Sequence, residues 1–126
     1  MRLIDSSAWI EWFIDGPLAE RLAEEIPEQS ECLVPTMVQH ELRKWFLRER
    51  DEDTADEIIA FTELCTVIPL DTRLALLAAE IARQHRLATA DAIIYASASL
   101  HGAELVTHDA HFKNLPGVIL LPKTTN

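Results

Sequence analysis

Five short apolar runs, at 2–4, 32–34, 66–68, 104–106 and 118–121, punctuate the chain, and segments with apolar residues at helical spacing separate several of them. The runs are rich in β-branched residues and leucine, and alternating with helices they predict an α/β domain whose mainly parallel sheet is covered on both faces. Ser6 or Ser7 is placed to cap a helix reaching about residue 13, and Pro17 to sit in the first turn of a second over 18–25. Thr36 with Gln39 three residues on reads as a capping box ahead of an amphipathic helix to about residue 50. Asp53 or Thr54 opens another to about 65, Asp71 caps one over 72–85, and Thr89 caps the segment ADAIIYASASLH, which Gly102 closes. No Pro/Gly/Ser-rich linker and no repeat interrupts this succession, so residues 1–126 read as a single domain.

Composition narrows the class of protein. With 48% hydrophobic and 25% charged residues the chain is ordinary for a globular domain and unlike a disordered one. Its apolar stretches fall short of the ~20 residues that span a bilayer. The N-terminus lacks a basic, then apolar, signal pattern, and Cys32 and Cys65 are isolated thiols without CxxC spacing. The expectation is a cytoplasmic protein, not a membrane one, with two small core cysteines. Charge is the anomaly, since 21 acidic residues against 11 basic ones give −10. Such a field repels polyanions, so a nucleic-acid function requires a local exception.

Among so many acids the informative ones sit where burial should forbid them, and four do. Asp5 ends the first strand, at the edge where the crevice of an open parallel sheet lies, and is equally placed to cap the helix that follows. Glu41 falls between Met37 and Val38 on the apolar stripe that Leu42 and Trp45 complete, although the opposite face carries Gln39, His40, Arg43 and Arg50. A carboxylate facing the core costs several kcal/mol unless an ion pair, hydrogen bonds or a metal ion compensates it. Asp91 heads a helix with no charged residue from Ala92 to Leu100, which must be central; near a helix N-terminus it also complements the macrodipole. Asp109 follows the strand ELVT, and is a turn residue unless that strand neighbours the first, in which case its charge converges with that of Asp5. Four hard oxygen donors without a clustered thiolate or histidine describe a Mg²⁺ or Mn²⁺ site suited to phosphodiester hydrolysis.

Four ordered segments, LIDSSAWIEWF, VPTMVQHELRKW, LATADAIIYASA and LVTHDAHFKNLPGV, together resemble a PIN-domain ribonuclease of the VapC toxin type over almost the full chain. The resemblance implies a three-layer α/β/α sandwich and a catalytic, metal-binding set of Asp5, Glu41, Asp91 and Asp109, with Asp5 and Asp91 holding Mg²⁺ or Mn²⁺ most directly. It implies that Ser6 and Thr107 are hydroxyls orienting the carboxylates or bound waters, unless they only cap turns. The activity it implies is cleavage of RNA by metal-activated water, leaving a 5′-phosphate and a 3′-hydroxyl.

The partners implied are a cognate VapB-type antitoxin and a second copy in a homodimer, with Trp9, Trp12 and Phe13 as candidate contacts for one or the other by analogy, although aromatics at helical spacing are more often plain core. An antitoxin arginine would neutralise Glu41 or Asp109. Setting the four site acids aside leaves 17 acids against 11 bases, which must lie away from the substrate. Arg43, Lys44, Arg86 and Lys113 are the candidate RNA-binding cations, with Arg48, Arg50 and Arg83 nearby. The histidines, His111 included, are expected to be structural, because metal-activated water needs no histidine base. A non-catalytic PIN-fold module and a solitary RNA-processing nuclease remain the alternatives. A receiver domain would need an acceptor Asp after a central strand and a lysine after a late one, whereas here the strand at Val67-Ile68 ends in Pro69 and Lys113 and Lys123 are out of place; a flap nuclease has no room for its helical arch.

Overall fold

The structure, a computed structural model, describes residues 1–122. In chain order its elements are β1 (Arg2–Ile4), α1 (Ser6–Phe13), α2 (Ala19–Glu25), β2 (Cys32–Pro35), α3 (Thr36–Glu49), α4 (Glu52–Glu63), β3 (Thr66–Ile68), α5 (Thr72–His85), α6 (Thr89–Leu100), β4 (Glu104–Thr107) and β5 (Val118–Leu120). The five strands form one sheet in the order β3-β2-β1-β4-β5, every pairing parallel. This is the expected α/β/α sandwich with a parallel centre, and each predicted run became a strand.

Helix α6 is central, as its lack of charge demanded: Ala92 to Ala98 are all buried, and it packs chiefly on α5. Leu3, Ile4, Leu33, Val34, Leu105 and Val106 fill the sheet's share of the core. The register Ile4↔Val106 makes β1 and β4 neighbours, which brings the residues after each strand to the same edge.

Several caps differ from expectation. Of the three candidates for α1, Asp5, Ser6 and Ser7, it is Asp5 that caps the helix, its carboxylate accepting from the Ala8 amide. Asp51 rather than Asp53 or Thr54 caps α4, because its extended backbone carries the side chain to the Thr54 amide. The Thr36–Gln39 capping box does not form; α3 starts directly off Pro35, and Gln39 donates to the Thr62 hydroxyl on α4 instead. Thr89 lies inside α6, whose N-cap is Ala88 and has no side-chain cap. Asp71 caps α5 and Gly102 adopts φ +61° as expected.

Of the two readings open for Trp9, Trp12 and Phe13, core or exposed contact, the structure gives core. Trp9 is fully buried, stacked on Phe13 at 5.5 Å and 19° and met edge-on by Phe61 at 5.8 Å. Trp12 and Phe13 are half-buried in the same cluster, which Phe46 extends. Spacing places all three rings on α1, but the tertiary packing of α4 against them makes them core. Cys32 is buried, Cys65 half-buried, and both are free. No helix of the described residues is long and apolar enough to cross a membrane.

Candidate active site

The parallel pairing of β1 with β4 determines the first half of the site. Beyond Ile4 the ladder continues from the Asp5 amide to the Val106 carbonyl at 3.1 Å, so Asp5 and Thr107 emerge side by side. The Thr107 hydroxyl donates to Asp5 Oδ2 at 2.6 Å, while Oδ1 accepts from Ser7 Oγ and the Ala8 amide, both at 2.9 Å. Asp5 is thus both a helix cap and a buried acid at the crevice. Burial pushes its pKa up to about 6, although the Thr107, Ala8 and Ser7 hydrogen bonds and the charge of His108 pull the other way.

Thr107 also carries the link to Asp109, since the Asp109 amide donates to the same hydroxyl oxygen at 2.9 Å. Asp109 Oδ1 in turn accepts from the His111 amide at 2.9 Å and caps a 3₁₀ turn, Ala110–Phe112, whose Phe112 is fully buried. The exposed ring of His111 folds back onto the acids, with Nδ1 3.0 Å from Asp109 Oδ1 and 3.6 Å from Asp91 Oδ2. One donor atom each from Asp91, Asp109 and His111 lies within 4.8 Å of the others.

Asp91, in the first turn of α6, is half-buried and raised in pKa, first by burial, then by the charge of Asp109, with Glu41 adding to the repulsion and His111 opposing it. Glu41 is half-buried rather than core-facing. It lines a 430 Å³ cavity and accepts the Ser6 hydroxyl at 2.7 Å. The helical stripe that carries Glu41 is covered at its core-facing residues, Val38 and Leu42, while Glu41 itself lies at the stripe's edge, over α1.

Asp91, Asp109 and His111 therefore form the tightest group, and Asp5 and Glu41 lie outside it. Among the described residues no lysine or arginine pairs with any of the four acids. Half-buried carboxylates that repel one another, with only an exposed histidine and no lysine or arginine beside them, fit a hard divalent cation.

The expected cations divide. Arg43 pairs with Asp56 of α4 at 2.6 Å. Lys44 stands on the rim of the cavity at Glu41. Arg86 occupies a left-handed conformation, φ 56°, and lines a smaller hollow with Asp91 and His111. Lys113 is exposed just past the 3₁₀ turn.

Three residues escaped the sequence reading. Ser7, not Ser6, serves Asp5, and the alternation of contacts along the first turn of α1 was the available signal. His111 clusters with the acids although no histidine was expected to, because the Asp109 cap bends the chain back within two residues. Glu11, 5% exposed, is with Asp5 one of two buried carboxylates among the described residues; it accepts the Leu18 amide at 2.9 Å and occupies the space a Cβ on Gly16 would need. Only the missing side chain at Gly16 hinted at it.

A family model described as the PIN domain matches residues 2–118. Among solved structures the chain is similar to a toxin–antitoxin complex from Klebsiella pneumoniae, with TM-score 0.81 and 23% identity over 94% of this chain and 96% of that one. It is similar to the sarcin–ricin loop cleaving VapC toxin of Mycobacterium tuberculosis, at 0.76 and 19% over 94% and 97%. DNA-bound VapBC from Salmonella typhimurium matches at 0.74 and 18% over 97% and 98%. No curated protein sequence matches the chain.

Proposed function

The chain belongs to the PIN-domain family, and on that premise we propose that it is a divalent-metal-dependent endoribonuclease, the toxin of a type II toxin–antitoxin pair. The observation that carries this reading is the meeting of Asp91 with Asp109 at the sheet edge, where burial and like charge both oppose ionisation and, among the described residues, His111 is the one basic side chain beside them, with no lysine or arginine paired to either. In this reading Asp5, Glu41, Asp91 and Asp109, with His111 beside them, hold Mg²⁺ or Mn²⁺. When bound, the ion supplies Lewis-acid activation of water and neutralises charge on the scissile phosphate.

The chain's own residues do the positioning. Thr107 fixes Asp5 and the start of the Asp109 turn with one hydroxyl, and Ser6 turns Glu41 toward the cavity. Lys44, Arg86 and Lys113 are the cations placed to meet RNA, and Arg43 contributes only if its pairing with Asp56 opens. A VapB-type antitoxin would block the site by bringing an arginine to Glu41 or Asp109, and the active form would be a cytoplasmic homodimer.

Purified protein incubated with RNA and Mn²⁺ or Mg²⁺, with and without EDTA, tests the reading alongside Asp5→Asn and Asp91→Asn. Cleavage is expected only with metal and only in the unsubstituted protein; cleavage persisting in EDTA or in both variants overturns it.

A further inference from the structure

The 430 Å³ open cavity beside Glu41 is walled by α1 and α3, with Ala90 at the start of α6 on its lining, and its volume is that of a small-ligand site. Helix α3 presents two adjacent stripes to it, each with residues four apart. One is Met37, Glu41 and Trp45; the other is His40, Lys44 and Arg48. Successive side chains in such a stripe are ~6 Å apart along the helix, a spacing comparable to that of phosphates along an extended single strand. In a chain of net charge −10 this stripe is a local exception. Lys44 has no ion-pair partner among the described residues, and Arg48 pairs only with the adjacent Glu49.

The apolar side of the cavity, made by Ile10, Met37 and Trp45, offers a flat ring for stacking. The indole packs against Phe46 at 4.9 Å and 74°, and the Arg50 guanidinium lies over one face of the ring, 5.9 Å from its centroid, so a base would stack on the other. The polar side is chemically one-sided. Ser6 gives its only hydroxyl proton to Glu41, and Ser7 gives its own to Asp5. Both hydroxyls and the carboxylate can therefore only accept hydrogen bonds from what enters.

We propose that this cavity is a base-binding subsite that seats one unpaired nucleobase bearing an exocyclic amino group, stacked on Trp45, with the strand's phosphates along His40, Lys44 and Arg48. The proposal rests on the ribonuclease reading and deepens it. A duplex base is excluded because its amino group and its faces are already occupied, so cleavage is confined to unpaired RNA.

Steady-state cleavage with Mn²⁺ tests it, using single-stranded oligonucleotides with adenine, cytosine or uracil beside the cut, and the same sequences as duplexes. Adenine and cytosine substrates are expected to outperform uracil, and the duplexes to resist. Trp45→Ala raises KM about tenfold with kcat held within about twofold, as loss of one stacked base requires, and Trp45→Phe restores most of it. Lys44→Glu, an exposed change that leaves packing intact, raises KM and flattens its salt dependence.

In the catalytically disabled Asp91→Asn protein, 2-aminopurine fluorescence of a labelled strand is quenched on binding, and Trp45→Ala abolishes the quenching. Unchanged KM in Trp45→Ala and Lys44→Glu, or equal cutting of duplex, overturns the subsite while leaving the ribonuclease reading standing. Unchanged RNA kinetics with lost inhibition by the antitoxin also overturns it, assigning the cavity to the protein partner. A wild-type protein that cuts no RNA overturns both.

Discussion

Helix α1 shelters a carboxylate toward each of its ends. Asp5, 3% exposed, stands at its N-terminus and Glu11, 5% exposed, in its last turn. The side chain of Glu11 is occupied by its own neighbourhood, the Leu18 amide and the space over Gly16, and it folds the short connection between α1 and α2. The side chain of Asp5 bonds its own helix through Ala8 and Ser7, but its second oxygen reaches Thr107, a residue 102 positions away that also holds Asp109. Burial is common to both carboxylates. What separates them is whether the hydrogen bonds close locally or extend into a second group of charges.

The largest break in this comparison is expected in catalysis. Asp91→Asn or Asp5→Asn lowers RNA cleavage by on the order of a hundredfold or more, several kcal/mol of transition-state stabilisation, whereas Glu11→Gln leaves kcat near that of wild type. Single-turnover cleavage assays at saturating Mn²⁺ measure both.

Thr107→Val removes the one hydroxyl shared by Asp5 and Asp109. It weakens metal affinity by roughly 10–100-fold, read by Mn²⁺ titration, while the backbone of β4 is undisturbed.

Glu11→Ala leaves the Leu18 amide without its partner inside the fold. It destabilises the protein by about 2 kcal/mol in urea denaturation, with metal binding unchanged.

The smallest effect has the opposite sign. The pKa of Asp5 rises from 3.8 to about 6 on folding, so the folded state holds its proton more tightly. The stability this group contributes is full below about 3.8 and lost as pH rises through 6, about 3 kcal/mol in all. Asp5→Asn keeps the cap but not the buried charge, and the amide meets Thr107 less well than the carboxylate does. Metal-free Asp5→Asn is therefore expected to be more stable than wild type by about 1 kcal/mol at pH 8, with the advantage gone below pH 4. Urea midpoints across pH without added metal check it; a destabilised variant at pH 8 would contradict the sign.

The legible parts of the molecule were those with a period. All five strands and the long helices followed from apolar runs and helical spacing, and the uncharged run after Asp91 correctly implied a central helix. Caps were less legible, because an aspartate, serine or threonine near a helix start is one of several candidates. Only the extended backbone of Asp5 and Asp51 selected them over their neighbours. The aromatic residues of α1 stayed open between core and contact for a related reason: helical spacing says which ring faces which way, and Phe61 on a later helix decides whether that face is covered.

For the site, the sequence by itself determined the inventory: which acids stand at strand ends and helix starts, and that they are oxygen donors in apolar surroundings. Tertiary structure alone decided which of them meet. The pairing of β1 with β4 puts Asp5 beside Thr107, the seating of the Asp109 turn against the start of α6 brings His111 to Asp91, and the approach of α1 to α3 commits the Ser6 proton to Glu41. The physical reason is range. Periodicity and capping act within a few residues, whereas strand order and the direction of a hydroxyl proton depend on groups far apart in the chain, 35 positions for Ser6 and Glu41 and 102 for Asp5 and Thr107.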